Sequence, residues 1–445
     1  MKFTSLRVYF FVFIFLLVVQ SCKKDEGGNP GPVKIDASQW GSFVPVSWYN
    51  MELKLLKETP GFTPPIAARA IAYTGITLHE TVVRGMENGT SLSGQLDGLA
   101  YLPSHEENLR YNWAIAANAA MADVIRSLFG NASQEHLDMI DALETENLLE
   151  LSTTDFSQEE IDRSIQFGKL MANAIYLWGA SDGGQGAYLN NFPINYTPPQ
   201  GAGLWIPTPP LFQSAMLPYW GKNRYLIKAN KQVAGQIAAA PAFSATSGSA
   251  FYQSADAVYQ KGNTLTSEET IIARYWADGT GTFTPPGHMI AITSQLIKDN
   301  NLSLDKASQL FAKVGIALND AGILCWQVKY RDNLIRPVSY IQRYIDSNWM
   351  PLIGTPPFPS YFSENASFTS ATSILLADYF GESYAFTDNQ KIDDGFSPRS
   401  FTSFNSMADE AAISRVYGGI HYQFDSEIGK SGGLAIANKV LELKY

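Results

Sequence analysis

The chain has 445 residues, of which 45% are hydrophobic and 17% charged, with a formal net charge of −10. That apolar content is enough to bury a large core, and the length allows two or three domains or one large helical unit. The acidic balance argues against nucleic acid as a partner.

In chain order, Lys2 and Arg7 precede an apolar run from Val8 to Val19. The run is shorter than the ~20 residues a membrane span needs and fits the core of a secretory signal. Val19-Gln20-Ser21-Cys22 resembles a bacterial lipobox, so residues 1–22 are read as a lipoprotein signal peptide with Cys22 as the lipidation site. Residues 23–38 read as a flexible tether, rich in Gly and Pro. Their opening Lys23-Lys24-Asp25-Glu26 resembles the surface-export signal of Bacteroidetes lipoproteins. The expected location is the cell envelope: an exported protein with a lipid anchor in the outer membrane, exposed at the cell surface. With Cys22 acylated, only Cys325 remains, which excludes an intrachain disulfide. Cys325 lies in an apolar helical run and is read as a core residue.

Beyond the tether, helical spacing dominates. Pro65 to Met86 and Tyr111 to Phe129 are rich in alanine and apolar residues at helical intervals. Ser157 with Glu160, and Thr266 with Glu269, read as capping boxes that open two further helices. Ser303 precedes a long helix with Leu310, Phe311, Val314, Leu318 and Ile323 on its apolar face. The segment Phe368 to Phe380 and the last 40 residues are also helical, and few segments alternate as strands do. The stretch 188–219, with its Pro, Gly and aromatic residues, reads as an ordered loop near the mouth of a pocket. The expected organisation is an N-terminal helical half over 39–260 and a C-terminal half over 261–445.

Three stretches of the C-terminal half carry the chemistry. The first, Trp326 to Pro337, places Lys329 near a helix end and Arg336 before a proline. That proline disfavours helix at Arg336, so the helix should stop at about Ile335. Lys329 and Arg336 are then roughly 10 Å apart along the chain at ~1.5 Å per residue, close enough to converge on one anion. Arginine offers it a planar fork and lysine a point charge. The second stretch, Phe358 to Phe368, contains Ser363, Glu364 and Asn365. In the third, Ser414 to Asp425, Gly418-Gly419 breaks the chain so that Arg415 and His421 can enter one pocket. Asp425, four residues after His421, would share a helical face with it and fix its tautomer. A solvated basic face is the ordinary reading of lysines and arginines on a helix. Here three separated stretches supply cations, a serine and a histidine suited to a tetrahedral oxyanion.

These residues resemble the signature stretches of the vanadium-dependent haloperoxidases and their relatives, the type 2 phosphatidic acid phosphatases and bacterial acid phosphatases. The family pattern is K-x6-R-P, then P-S-G-H, then S-R-x3-G-x-H-x3-D. Lys329, Arg336 and Pro337 match the first; Ser414, Arg415, Gly419, His421 and Asp425 match the third. The second is altered to Phe362-Ser363-Glu364-Asn365. Trp326, Trp276-Ala277-Asp278, and Phe358-Pro359 with Tyr361 resemble the haloperoxidase branch.

The resemblance implies an all-α fold of two packed four-helix bundles, with the anion pocket inside the second. Lys329, Arg336 and Arg415 would bind the equatorial oxygens of vanadate or phosphate, and Ser363 would hydrogen-bond the same group. His421 would bond to vanadium at an apical position, or act as the nucleophile of a phosphatase. Trp326 and Phe358 would flank the halide. The implied reaction is halide oxidation by hydrogen peroxide; the alternative is hydrolysis of a phosphate ester. Position 365 holds the acid/base histidine in the family, and Asn365 cannot shuttle a proton near neutral pH. That departure points to a third reading, an oxyanion-binding lipoprotein impaired in catalysis; the bland reading is a structural lipoprotein whose cations only pair with carboxylates. Asp278 resembles the carboxylate that supports the family's acid/base histidine. His288, at a helix start close by, is the candidate to replace the missing imidazole.

Overall fold

The computed structural model describes residues 36–152, 155–279 and 281–445. The signal segment 1–22, Cys22 and the tether up to residue 35 lie outside the described residues. The last residues assigned to the tether, 36–38, are already folded: Ala37 is buried, and Asp36 accepts from the amides of Ser38 and Glu87.

The helices in chain order are α1 (Phe43–Glu58), α2 (Pro64–Val82), α3 (Trp113–Leu128), α4 (Gln134–Leu151), α5 (Gln158–Gly179), α6 (Val233–Gln236), α7 (Ala250–Asn263), α8 (Ser267–Tyr275), α9 (Thr284–Asp299), α10 (Leu304–Asp332), α11 (Pro337–Tyr344), α12 (Glu364–Phe380), α13 (Phe404–Tyr417) and α14 (Gln423–Leu441). The capping boxes expected at Ser157 and Thr266 are formed and start α5 and α8. α2 opens with prolines in its first turn, where no amide hydrogen bond is lost. α4 carries a weak apolar stripe and was not apparent from spacing alone; α1 and α7 were not picked out either.

α1, α2, α3 and α5 pack as one bundle, with α4 outside α3. α9, α10, α12 and α14 form the second, with α13 against α12 and α14. α10 is about 43 Å long at ~1.5 Å per residue and serves both bundles. It lies along α2 on one side and against α12 and α14 on the other, within one continuous apolar core. The α2–α10 crossing is close because Gly315 has no side chain: a Cβ there would meet the Ala72 Cα at 2.9 Å.

α10 stops at Asp332, three residues before the expected end, because Asn333 takes a left-handed conformation (φ 47°) and closes it. Arg336 is extended (φ −76°, ψ 152°) ahead of Pro337, as the proline dictates. The stretch 188–219 is ordered and lies over this helix end. Trp205 N donates to Asn333 O (2.7 Å), Ile335 N to Gly203 O (3.0 Å), and Met216 N to Pro357 O (2.9 Å). The following segment is anchored by buried Asp320 of α10, which accepts from the amides of Leu226 and Ile227 and from Asn230 Nδ2. A two-stranded antiparallel ribbon, β1 (Phe386–Asp388) and β2 (Arg399–Phe401), follows α12 with Phe386 opposite Phe401. Its strands are too short to show an alternating pattern. Among the described residues no helix is long and apolar enough to cross a membrane.

Candidate functional site

The three stretches meet inside the second bundle. Lys329 projects from the last turn of α10 and donates to the carbonyls of Pro359 and Ser360, both at 2.9 Å. Arg336 donates from Nε to Phe358 O and from Nη1 to Ile420 O, both at 2.8 Å. Arg415, in the last turn of α13, donates from Nη1 to Trp276 O at 2.6 Å. All three side chains are buried. Burial pushes the Lys329 ammonium down to about 8 and the Arg336 guanidinium down to about 10, and lowers Arg415 as well. Backbone carbonyls, not carboxylates, hold the cations in place. Among the described residues no carboxylate pairs with them directly, and Glu364 and Asp425 act on them only from a distance, so in this low-dielectric interior their charge acts strongly on anything placed between them.

His421 is brought beside Arg336 by the break at Gly418 and Gly419. The turn requires φ +76° at Gly419, where the space around a Cβ is also filled by Pro351 and Trp349. The imidazole donates from Nδ1 to Asp425 Oδ2 (2.8 Å), and its Nε2 accepts from Arg336 Nη1 at 3.2 Å. An arginine cannot accept, so Nε2 carries no proton. Burial, with Arg336, Lys329 and Arg415 nearby, keeps the ring well below the usual imidazole range. The His421–Asp425 pair does not share a helical face as expected. His421 precedes α14, and Asp425 in its first turn reaches back to the ring and to the Tyr422 amide (3.2 Å). Ser360 Oγ donates to the same carboxylate oxygen at 2.6 Å. Burial pushes Asp425 up to about 6, against the pull of Ser360 and the cations.

The altered motif forms the start of α12. Ser363 is its N-cap, accepting from Ala366 N at 3.4 Å while its own amide donates to Asp425 O. Asn365 Nδ2 donates to Trp276 O at 3.2 Å, so one carbonyl oxygen holds both Asn365 and Arg415. Glu364 is 6% exposed and makes no ion pair within 4 Å among the described residues. Burial raises its carboxyl, with Lys329, Arg415 and Arg336 pulling the other way. Among the described residues, this cluster leaves two donors without a partner, Arg336 Nη2 and Arg415 Nε. It also leaves three acceptors, Glu364 Oε2, Asn365 Oδ1 and Asp425 Oδ1. Buried polar atoms are usually hydrogen-bonded, and five without a partner in one cluster of cations make this the candidate ligand site.

His288 does not join this group, and the expectation that it replaces the imidazole of position 365 is corrected. Its Nδ1 bonds to Asp278 Oδ2 and its Nε2 to Asp388 Oδ2, both at 2.9 Å, with no exposure. Burial alone would lower the ring; the two carboxylates override it and raise it to about 9. A doubly hydrogen-bonded imidazolium has no nitrogen free to relay a proton. Asp278, whose partner the sequence left open, pairs with His288 and with Lys391 Nζ (3.0 Å). Asp388 also accepts from Tyr275 OH at 2.7 Å. The His288 ring stacks on Trp276 (centroids 4.9 Å, 28°), whose carbonyl is the one that holds Arg415 and Asn365. The cluster thus supports the site from behind.

Trp326 and Phe358 touch at 4.9 Å between ring centroids, and the Phe358 ring lies 5.1 Å from Lys329 Nζ and 5.0 Å from the Arg336 guanidinium. Trp326 Nε1 donates to Met216 O of the overlying loop. Cys325 is a core residue as expected: its thiol donates to Phe362 O at 3.5 Å, and burial pushes it up to about 12. Sequence reading missed Asp388, Lys391, Ser360 and the Trp276 carbonyl.

Comparison with known proteins bears on this arrangement. The family model for the VCPO second helical-bundle domain matches residues 344–444. The vanadium chloroperoxidase of Curvularia inaequalis is 28% identical over an alignment that spans 36% of this chain and 36% of that relative. Among solved structures, a bacterial vanadium-dependent chloroperoxidase shares the fold at 15% identity, with a TM-score of 0.63 over 87% of this chain and 97% of its own. The structure of the first bacterial vanadium-dependent iodoperoxidase aligns with a TM-score of 0.81 at 30% identity, covering 92% of this chain and 97% of that one. Matched at that level along nearly the whole of a solved relative, the chain belongs to the vanadium-dependent haloperoxidase superfamily.

Proposed function

We propose that the cluster is an oxyanion site of haloperoxidase type, which holds vanadate and serves the oxidation of halide by hydrogen peroxide. The observation that carries this reading is the pair of unpartnered guanidinium donors, Arg336 Nη2 and Arg415 Nε, buried beside Lys329 and the unprotonated Nε2 of His421. That donor set fits vanadate: Lys329, Arg336, Arg415 and Ser363 would hold its oxygens, and His421 Nε2 would bond to the metal. Vanadate, when bound, supplies Lewis-acid activation of peroxide. The chain's own contribution is preorganised positive charge that needs no rearrangement during reaction. Asp425 and Ser360 keep the imidazole oriented with Nε2 free of a proton, and Trp326 and Phe358 exclude water beside the cations. Phosphate would fit the same donors.

The test is a calorimetric titration of the mature chain with orthovanadate and, separately, phosphate. One-to-one saturable binding is expected, weakened by about tenfold or more in Arg415→Ala and in His421→Ala. Heats absent in wild type, or unchanged by both substitutions, would sink the reading.

A second reading is favoured by Asn365: an amide carries no titratable proton at neutral pH, which suits an oxyanion binder without turnover. Vanadate binding without bromide oxidation in the presence of peroxide would select it.

We further propose that the protein is an exported lipoprotein held to the outer membrane through Cys22. In cells expressing the full chain, wild type should sediment with membranes and Cys22→Ser should not. Equal membrane partitioning of the two would reject acylation at this cysteine.

A further inference from the structure

The cage differs from a simple anion trap in offering acceptors as well as donors. Glu364 and Asn365 stand in the first turn of α12, both nine-tenths buried or more, and each has an oxygen without a partner among the described residues. The three cations do not close on the Glu364 carboxyl. Lys329 is fixed by the Pro359 and Ser360 carbonyls, Arg336 by Phe358 and Ile420, and Arg415 by Trp276. Besides these cations, the titratable groups that act on this cluster include neutral His421 with Asp425 behind it, from the turn before α14 and its first residues, Tyr422 beside them, the Cys325 thiol of α10, and Asp278, which faces Arg415. The guanidinium donors Arg336 Nη2 and Arg415 Nε ask for ligand oxygens. Glu364 Oε2 and Asn365 Oδ1 ask for ligand hydroxyls. One small molecule that satisfies both is an oxyanion that still carries a proton.

We propose that Glu364 is a specificity-determining residue that restricts the cage to protonated oxyanions, of the hydrogenphosphate and hydrogenvanadate class, and rejects fully deprotonated ones such as sulfate. This rests on the oxyanion-site reading. Sulfate would satisfy the guanidinium donors but set a bare oxygen against the carboxylate. That leaves a buried hydrogen bond unmade and brings two like charges together. Sites built to bond a ligand hydroxyl reject the analogue lacking it by as much as ~10⁴-fold. With glutamine at 364, the side-chain amide can turn its NH₂ to a bare oxygen, and the discrimination should collapse.

The experiment is a calorimetric titration of the mature chain near pH 7 with phosphate, orthovanadate and sulfate, in wild type, Glu364→Gln and Glu364→Gly. Wild type should prefer phosphate and vanadate to sulfate by ~10²-fold or more. Glu364→Gln should gain sulfate affinity and narrow that ratio at least about tenfold, with Glu364→Gly in between. Wild type binding sulfate as tightly as phosphate overturns the proposal, with no variant needed. So does a ratio that survives both substitutions. Absence of binding by all three anions to all three proteins removes the oxyanion reading itself, and this proposal with it. Binding of all three anions without selectivity removes only this proposal.

Discussion

Replacing His288 with alanine is expected to destabilise the fold by about 3–5 kcal/mol, the usual cost of removing one partner from a buried ion pair. The imidazolium sits between two carboxylates that are themselves buried. Asp278 would keep Lys391, but among the described residues Asp388 would keep only Tyr275 OH and the amide of Gln390. Urea unfolding of wild type and variant at pH 7 measures the difference; a cost below about 1 kcal/mol would mean the ring is not a charged link. The pH dependence is a second check. The ring's folded value, about 9, lies above its ordinary 6.5. Its stabilisation is therefore fully present below about pH 6.5 and disappears as pH rises through about 9. The stability gap between wild type and a neutral, shape-conserving His288→Gln should narrow across that window. A gap that stays flat or widens would contradict the charge assignment. Other groups, including Lys329, titrate in the same range, so the comparison must be between the two proteins and not of wild type alone.

Restoring an imidazole at position 365 is expected to have the largest effect on activity. A positioned acid/base group contributes ~10²- to 10⁴-fold, and the amide now present contributes none of that. A histidine in place of Asn365 can keep the bond to the Trp276 carbonyl through Nδ1–H, with Cδ2 where Asn365 Oδ1 now stands and Nε2 projecting one bond beyond it. Bromide oxidation by hydrogen peroxide, measured with vanadate added, should rise by at least ~10²-fold in Asn365→His. Pairing it with Glu364→Gly would remove the added carboxyl and give the imidazole room. If both proteins bind vanadate and neither gains rate, proton transfer at this position does not limit the reaction.

The parts of the site visible in sequence are those whose positions follow from short-range backbone rules. Arg336 is set by Pro337, Lys329 by its place in the last turn of a long apolar helix, and Arg415 and His421 by the glycine break between them. In each case the local constraint aims the side chain before any tertiary contact forms. Asp388 and Lys391 escaped because they come from a three-residue strand and the turn after it, elements too short to have a period. Ser360 is a small polar residue in an irregular segment, with nothing to separate it from its neighbours. The Trp276 carbonyl is a main-chain atom, and no residue type announces it. His288 misled for a related reason: its position near Asp278 was readable, but its second carboxylate, 100 residues further along the chain, was not. Of the fold, the strongly patterned helices and both capping boxes were legible. α4, with its weak amphipathicity, was not.

α10 has a consequence for how such a protein can be built and inherited. The rod that joins the bundles is also the one that presents Lys329, and the matched family domain, residues 344–444, begins only after Arg336. Two of the three cations are thus contributed from outside the unit that carries Arg415 and His421. Exchange of that unit between homologous chains would move half a binding site, and it would work only where the recipient already possessed the other half in register. The helix therefore couples the two bundles, since a substitution along it reaches both the α2 contact and the anion site.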